Sequence, residues 1–221
     1  MNLRVTDILY RLRFFFIPYL ILICGCLIIK LLYSREDIFF AVNAIHNTTA
    51  DFIAPYVTAA GAGLTVVILS AIVALFNYRK AFLLATSYGV TAIVAQIIKH
   101  LINAPRPQLY FANQLDKIYF VEGVEIYSHN SFPSGHTVTA FSAAVVLTYL
   151  AKNKNWGVLF LLAATCIGYS RIYLSEHFFE DVTAGSVLGV LITVLWLWYM
   201  DNKKFIHEAT WNKGLLNKKQ A

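Results

Sequence analysis

The sequence predicts an all-α integral membrane protein, a single domain over residues 1–221 built as a bundle of six transmembrane helices. Three observations point there. Hydrophobic residues make up 58% of the chain and charged residues only 14%, against roughly 25% charge in soluble domains. The apolar residues fall in long blocks, the longer ones near the about 20 residues that carry a helix across a bilayer. Finally, the Lys and Arg residues gather on one side of the alternation that six spans impose.

The first block runs from Phe14 to Tyr33 behind Arg11 and Arg13. It has the flanks of a secretory leader, but the run is too long and no small-x-small cleavage site follows. It is therefore read as an uncleaved first span over 14–33. Cys24 and Cys26 lie within it and Cys166 lies within the fifth span. Free cysteines behave as small hydrophobes, so all three are expected to be packing residues, with neither a metal site nor a disulfide framework.

The connection from Ser34 to Pro55 carries the apolar stretch Ile38 to Ile45, which fits an interfacial helix or a hydrophobic cap on the bundle. Asn47-Thr48-Thr49 has the form of a glycosylation sequon, a triplet common by chance. The second span is expected over 56–76 and the third over 81–99, ending on Lys99. Pro105 and Pro107 then stop the helix and stiffen the backbone on either side of Arg106. The rest of this connection holds Leu109, Tyr110, Phe111, Tyr119 and Phe120, expected as interface anchors, with contact to a lipid substrate as the alternative. The last three spans are expected over 133–151, 156–173 and 181–200. No internal repeat, low-complexity tract or linker divides the chain.

An even number of spans places both termini on one side. With them go Arg4, Arg11, Arg13, Arg79, Lys80, Lys152, Lys154, Lys203, Lys204, Lys213, Lys218 and Lys219, twelve of the eighteen basic residues, against only Asp7, Asp201 and Glu208. Cationic loops stay in the cytoplasm, which puts Lys99, Arg106 and Arg171 at the opposite face. The net charge of +6 is accounted for by topology and anionic headgroups, and nucleic acid is not implied.

Three short stretches set ionisable groups beside the spans: Lys99 with Arg106-Pro107, Pro133-Ser134-Gly135-His136, and Ser170-Arg171 with His177 and Asp181. Such groups are costly near hydrocarbon and normally mark a site. Pro133 to His136 reads as a helix start, whose free N–H groups and positive end favour an anion. His177 and Asp181 are one helical turn apart, so the carboxylate can orient the imidazole and leave its other nitrogen for a substrate. Glu176 and Glu180 are read as solvated loop acids. Three cations, two imidazoles and a carboxylate suit binding a phosphate and passing it to a nitrogen nucleophile. An anion transporter or channel using the same charges is the rival, and it leaves the His177–Asp181 pair without a task. Paired histidines for haem are not evident.

In order, Lys-x6-Arg-Pro, Pro-Ser-Gly-His and Ser-Arg-x5-His-x3-Asp resemble the signature of the type 2 phosphatidic acid phosphatase superfamily, over roughly residues 14–200. The resemblance implies a lipid phosphate phosphatase of the cytoplasmic (inner) membrane. Its substrate would be a phospholipid, polyprenyl or lipid A phosphate or pyrophosphate. It implies that Lys99, Arg106 and Arg171, with Ser134 and Gly135, hold the phosphate. His177 would attack phosphorus, Asp181 would orient it and His136 would protonate the leaving group. No cofactor or metal is implied.

Overall fold

The computed structural model describes residues 3–216, so Lys218 and Lys219 of the basic face lie outside it. Every regular element among the described residues is helical. The first two are α1 (Val5–Arg11) and α2 (Arg13–Leu32). Three helices follow: α3 (Arg35–Asn43), α4 (Thr48–Ala59) and α5 (Gly63–Phe76). Next come α6 (Tyr78–Ile102) and the single turn α7 (Pro107–Tyr110). The bundle is completed by α8 (Gly135–Leu150), α9 (Trp156–Tyr173) and α10 (Phe179–Asp201). Their starts follow from local chemistry. The Asp37 and Ala50 amides donate to Ser34 Oγ and Asn47 Oδ1, and the Lys80 amide to Asn77 Oδ1, capping α3, α4 and α6. The α6 helix ends on Asn103 in the left-handed region at φ 44°.

The protein is a multi-pass membrane protein, but six straight spans is not the arrangement found. Four helices, α2, α6, α9 and α10, are long and apolar enough to cross a membrane. The expected span 56–76 is instead two helices, beginning at Thr48 and bent by 56° between α4 and α5. The bend follows from a close approach: a Cβ on Gly61 would stand 2.5 Å from Ile167 Cγ2 and 3.1 Å from the His136 carbonyl. With 16 residues at about 1.5 Å per residue, α8 is too short to cross alone. It is the central helix, walled in by α6, α9 and α10, and most of its residues are buried.

One continuous apolar core runs down the bundle, with Phe15, Leu83, Leu84, Val145, Val190 and Leu197 among its members. Ile8 and Leu12 of the N-terminal segment are fully buried in it. The outward faces of α2, α5 and α9 remain apolar (Ile21, Leu31, Val67, Leu162), as a lipid-facing surface requires. Cys24 and Cys166 lie on that surface and Cys26 is half-buried. The expectation that all three pack inside is corrected, because α2 and α9 each bury only one face. The α3 segment resolves as a cap: Phe39 packs with Phe111, Ile118 and Phe178 beside α10. Phe111 is therefore a packing residue, while Tyr110 and Tyr119 stay exposed.

The helices α8 and α10 run in the same direction from one end of the bundle. Their contact is glycine-lined: a Cβ on Gly185 would sit 2.8 Å from the Ser134 carbonyl, and one on Gly189 would sit 2.6 Å from that of Val138. Small residues four apart allow this backbone approach. As a result the Ser134 amide donates to the Asp181 carbonyl at 3.0 Å. The two helix starts, each with a positive dipole end, are thus joined where the C-terminal ends of α6 and α9 also arrive. At the opposite end, buried Asp201 accepts from Arg79 and the Tyr149 hydroxyl, with Arg11 at 3.7 Å and His207 Nε2 3.7 Å from the other carboxylate oxygen.

Candidate active site

Five chain segments meet at the end where α8 and α10 begin. Lys99 comes from the last turn of α6, is 6% exposed, and donates to the Asn130 carbonyl at 2.5 Å. Arg106 is held by its own backbone, because the segments around 104–106 and 128–131 exchange hydrogen bonds (Arg106 N to Ser128 O 2.8 Å, Ser131 N to Ala104 O 3.0 Å). Gly135 and His136 open α8, where first-turn amides have no helical acceptor. Arg171 ends α9, and the tight turn after it returns the Glu176 and His177 amides to the Arg171 carbonyl. Asp181 lies in the first turn of α10.

Lys99, Arg106, Gly135, His136, Arg171 and His177 line one cavity of about 270 Å³, whose other wall is Gly61, Tyr88, Ala92 and Ala95. All three expected cations and both histidines are brought together. Asp181 is set behind His177, with Oδ2 3.5 Å from Nδ1, longer than a direct hydrogen bond. The gap is bridged by Ser131, whose hydroxyl donates to Asp181 Oδ2 at 2.5 Å and lies 3.4 Å from His177 Nδ1. The Phe178 amide also donates to that oxygen at 2.9 Å. Ser134 is fully buried just behind Gly135, its hydroxyl accepting from Thr137 at 2.9 Å and its amide already given to Asp181. Lys99 lies beside Gly135, its Cε 3.7 Å from where a Cβ would stand, an ordinary van der Waals contact.

The two glutamates read as solvated are not. Glu176 is 2% exposed and pairs with Arg106 and, at 3.1 Å, with Arg171. Glu180 is partly buried between Arg35 and Lys30. Two guanidiniums at one point need a counter-charge, and the turn from Arg171 to His177 delivers Glu176 to it. Thr58, Ser131 and Asn130 were also invisible as site residues. For Glu176 alone a signal existed, its place beside His177.

Burial first, and then Arg106, Arg171, Lys99 and His136, push the His177 imidazole well below its ordinary range, so it is neutral near pH 7. Burial pushes the Glu176 carboxyl up, against the pull of Arg171 and Arg106. Tyr127 covers the site, its ring 5.2 Å from the Arg106 guanidinium. Among the described residues no three His, Cys, Asp or Glu side chains are grouped to hold a metal. The arrangement can bind a multiply charged oxyanion from three sides and present a neutral, oriented imidazole to it.

A family model described as the PAP2 superfamily matches residues 80–205. The chain is 29% identical over 164 residues to phosphatidylglycerophosphatase B of Bacillus subtilis, covering 68% of each. It is 39% identical over 79 residues to a protein named bacitracin transport permease BcrC from Bacillus licheniformis, covering 36% of this chain and 38% of that one. Undecaprenyl-diphosphatases and lipid A phosphatases are also among the matches. In several of these the matched segment spans half the relative's length or less. Among solved structures, a transmembrane PAP2-type phosphatidylglycerolphosphate phosphatase from Bacillus subtilis superposes with a TM-score of 0.63 at 27% identity, over 89% of this chain and 99% of that one.

Proposed function

The chain belongs to the PAP2 superfamily, and from that membership we propose that it is a lipid phosphatase. It removes phosphate from a lipid phosphate or pyrophosphate headgroup at the exterior face of the cytoplasmic membrane. The observation that carries this reading is the convergence of Lys99, Arg106, Arg171, His136 and His177 on one cavity of about 270 Å³ in a membrane-spanning bundle. Phosphatidylglycerophosphate, undecaprenyl pyrophosphate and lipid A are the substrate classes in question. Each offers a terminal phosphate at headgroup depth.

In this mechanism Lys99, Arg106 and Arg171 hold the phosphoryl oxygens, with the Gly135 amide and Ser134 at the start of α8. Ser131 and Asp181 hold the Nδ1 side of His177, so Nε2 attacks phosphorus. The N–P bond forms as the bond to the leaving oxygen breaks, and His136 gives that oxygen its proton. A water then attacks the phosphohistidine, His136 takes the water's proton, and inorganic phosphate leaves with His177 restored. Charge build-up on the transferring group is met by the three cations.

The orientation rests on charge: the end bearing the termini carries most of the basic residues. A cysteine introduced at Gln114, beyond α7, should therefore react with impermeant reagents from outside intact cells. Transport is the second reading, favoured by the permease name of one relative. Phosphate release from a panel of the three lipid classes by purified protein, with and without EDTA, separates the two. Release of phosphate from at least one lipid, abolished in His177→Ala, supports the phosphatase, and no release from any of them overturns it.

A further inference from the structure

We infer that Glu176 and Thr58 are positioning residues that hold the two phosphate-binding guanidiniums of the proposed phosphatase site in place at the cavity they line. The inference rests on that functional reading. Neither residue belongs to the three sequence motifs.

The assignment comes from what each guanidinium is tied to. In Arg171, Nη1 donates to Thr58 Oγ1 at 2.7 Å and Nη2 is 3.1 Å from Glu176 Oε2, leaving Nε buried without a partner. In Arg106, Nε donates to the His129 carbonyl at 3.0 Å and Nη1 to Glu176, leaving Nη2 uncommitted. A guanidinium is a rigid fork, so fixing two of its nitrogens fixes the direction of the third. The same carboxylate oxygen, Oε2, accepts from Arg106 and is ion-paired with Arg171. Glu176 does not line the cavity, whereas both arginines do, so the carboxylate lies behind them and does not occupy the phosphate's place. It also screens the repulsion between two cations held at one point in a buried setting. Thr58 reaches Arg171 from α4, the first half of the bent span.

The test uses full-length protein in detergent, with orthovanadate and inorganic phosphate as binding probes and lipid phosphate hydrolysis as the catalytic readout. Melting temperature is followed to confirm folding. Glu176→Gln should weaken vanadate binding by about tenfold or more, the scale of a charge-assisted hydrogen bond, and Glu176→Asp should recover part of that loss. Thr58→Val, a milder change that leaves the buried ion pairs intact, should weaken vanadate binding by about threefold to tenfold with the melting temperature held. Vanadate affinity in Glu176→Gln within twofold of wild type overturns the inference, as does a loss that Glu176→Asp does not reduce. Tighter vanadate binding in Glu176→Gln also overturns it, since the carboxylate would then be a competitor of phosphate. If Glu176→Gln does not fold, Thr58→Val alone decides on the same twofold criterion. Wild type that binds vanadate yet hydrolyses no lipid phosphate sinks the functional reading while leaving the binding comparison intact.

Discussion

Each end of the bundle holds a buried carboxylate among arginines, yet the two ends place it differently. At the end bearing the termini, Asp201 is the centre: Arg79, Arg11 and Tyr149 converge on it, and the protein supplies its own anion. At the other end the carboxylates stand back. Glu176 sits behind the arginines and Asp181 behind His177, so the centre is a cavity. An orphaned donor does not distinguish the two, because Arg79 Nε and Arg171 Nε are both buried without partners. What distinguishes them is where the negative charge lies relative to the cations. Behind them it orients; among them it closes the cluster.

This contrast predicts that changes at the cavity end cost turnover and changes at the termini end cost stability. The largest effect is expected for His177→Ala, with kcat lowered by about a thousandfold or more, the scale of losing a covalent nucleophile. Because His177 is 1% exposed rather than surface-facing, size-exclusion and melting profiles must accompany the assay. Residual activity above about a hundredth of wild type, or several kcal/mol of barrier recovered without the imidazole, removes it as nucleophile.

His136→Ala should come next. Hydrolysis of an alkyl phosphate should fall by about a hundredfold, and that of an aryl phosphate with an acidic phenol much less, because only the alkoxide needs a proton to depart. Equal losses on both substrates would leave His136 a phosphate ligand or a helix-start residue. At the other end, Asp201→Asn strands Arg79 and Arg11 around a neutral amide. Losing the charge on a buried acceptor of charge-assisted hydrogen bonds costs about 2 kcal/mol, read as a lower melting temperature, while kcat per folded molecule stays within about twofold. A catalytic collapse in Asp201→Asn would break the comparison between the ends.

The smallest effect concerns pH. The active form of His177 is neutral, and burial with the neighbouring cations places its folded pKa well below 6.5. Lowering pH from 7.5 to 6 therefore protonates little of it, and kcat/KM on the aryl phosphate, whose phenolate leaves without the His136 proton, should change by less than about twofold once corrected for the substrate's own phosphate ionisation. The acid limb appears only below that range. An acid limb centred near 6.5 that vanishes in no other variant would show a solvated imidazole in place of a buried one.

Much of this was legible in the chain. Lys99, Arg106, Gly135, His136, Arg171 and His177, picked out by residue type and spacing, all line one cavity. Several helix boundaries lie close to those expected, since hydrocarbon demands an unbroken apolar run. The bend between α4 and α5 was not legible, because Gly61 faces a contact with Ile167 and His136 that hydropathy does not register. Thr58 was hidden by distance, lying 113 positions from Arg171. Glu176 was misread because an acid in a loop is usually solvated. Its burial follows only from the turn that folds it back beneath Arg171.

The glycine contact between α8 and α10 has a consequence for anyone who would rebuild this site elsewhere. His136 belongs to one helix and Asp181 to the other, and the two starts are joined through Ser134 and Asp181 main-chain atoms. Their spacing is set by the methyl groups missing at Gly185 and Gly189, several residues away from any reacting atom. Grafting the motif residues onto a bundle of ordinary interhelical separation would reproduce the side chains and lose their relative placement. The portable unit is a pair of parallel helices brought together by absent side chains, with the chemistry mounted on its rim.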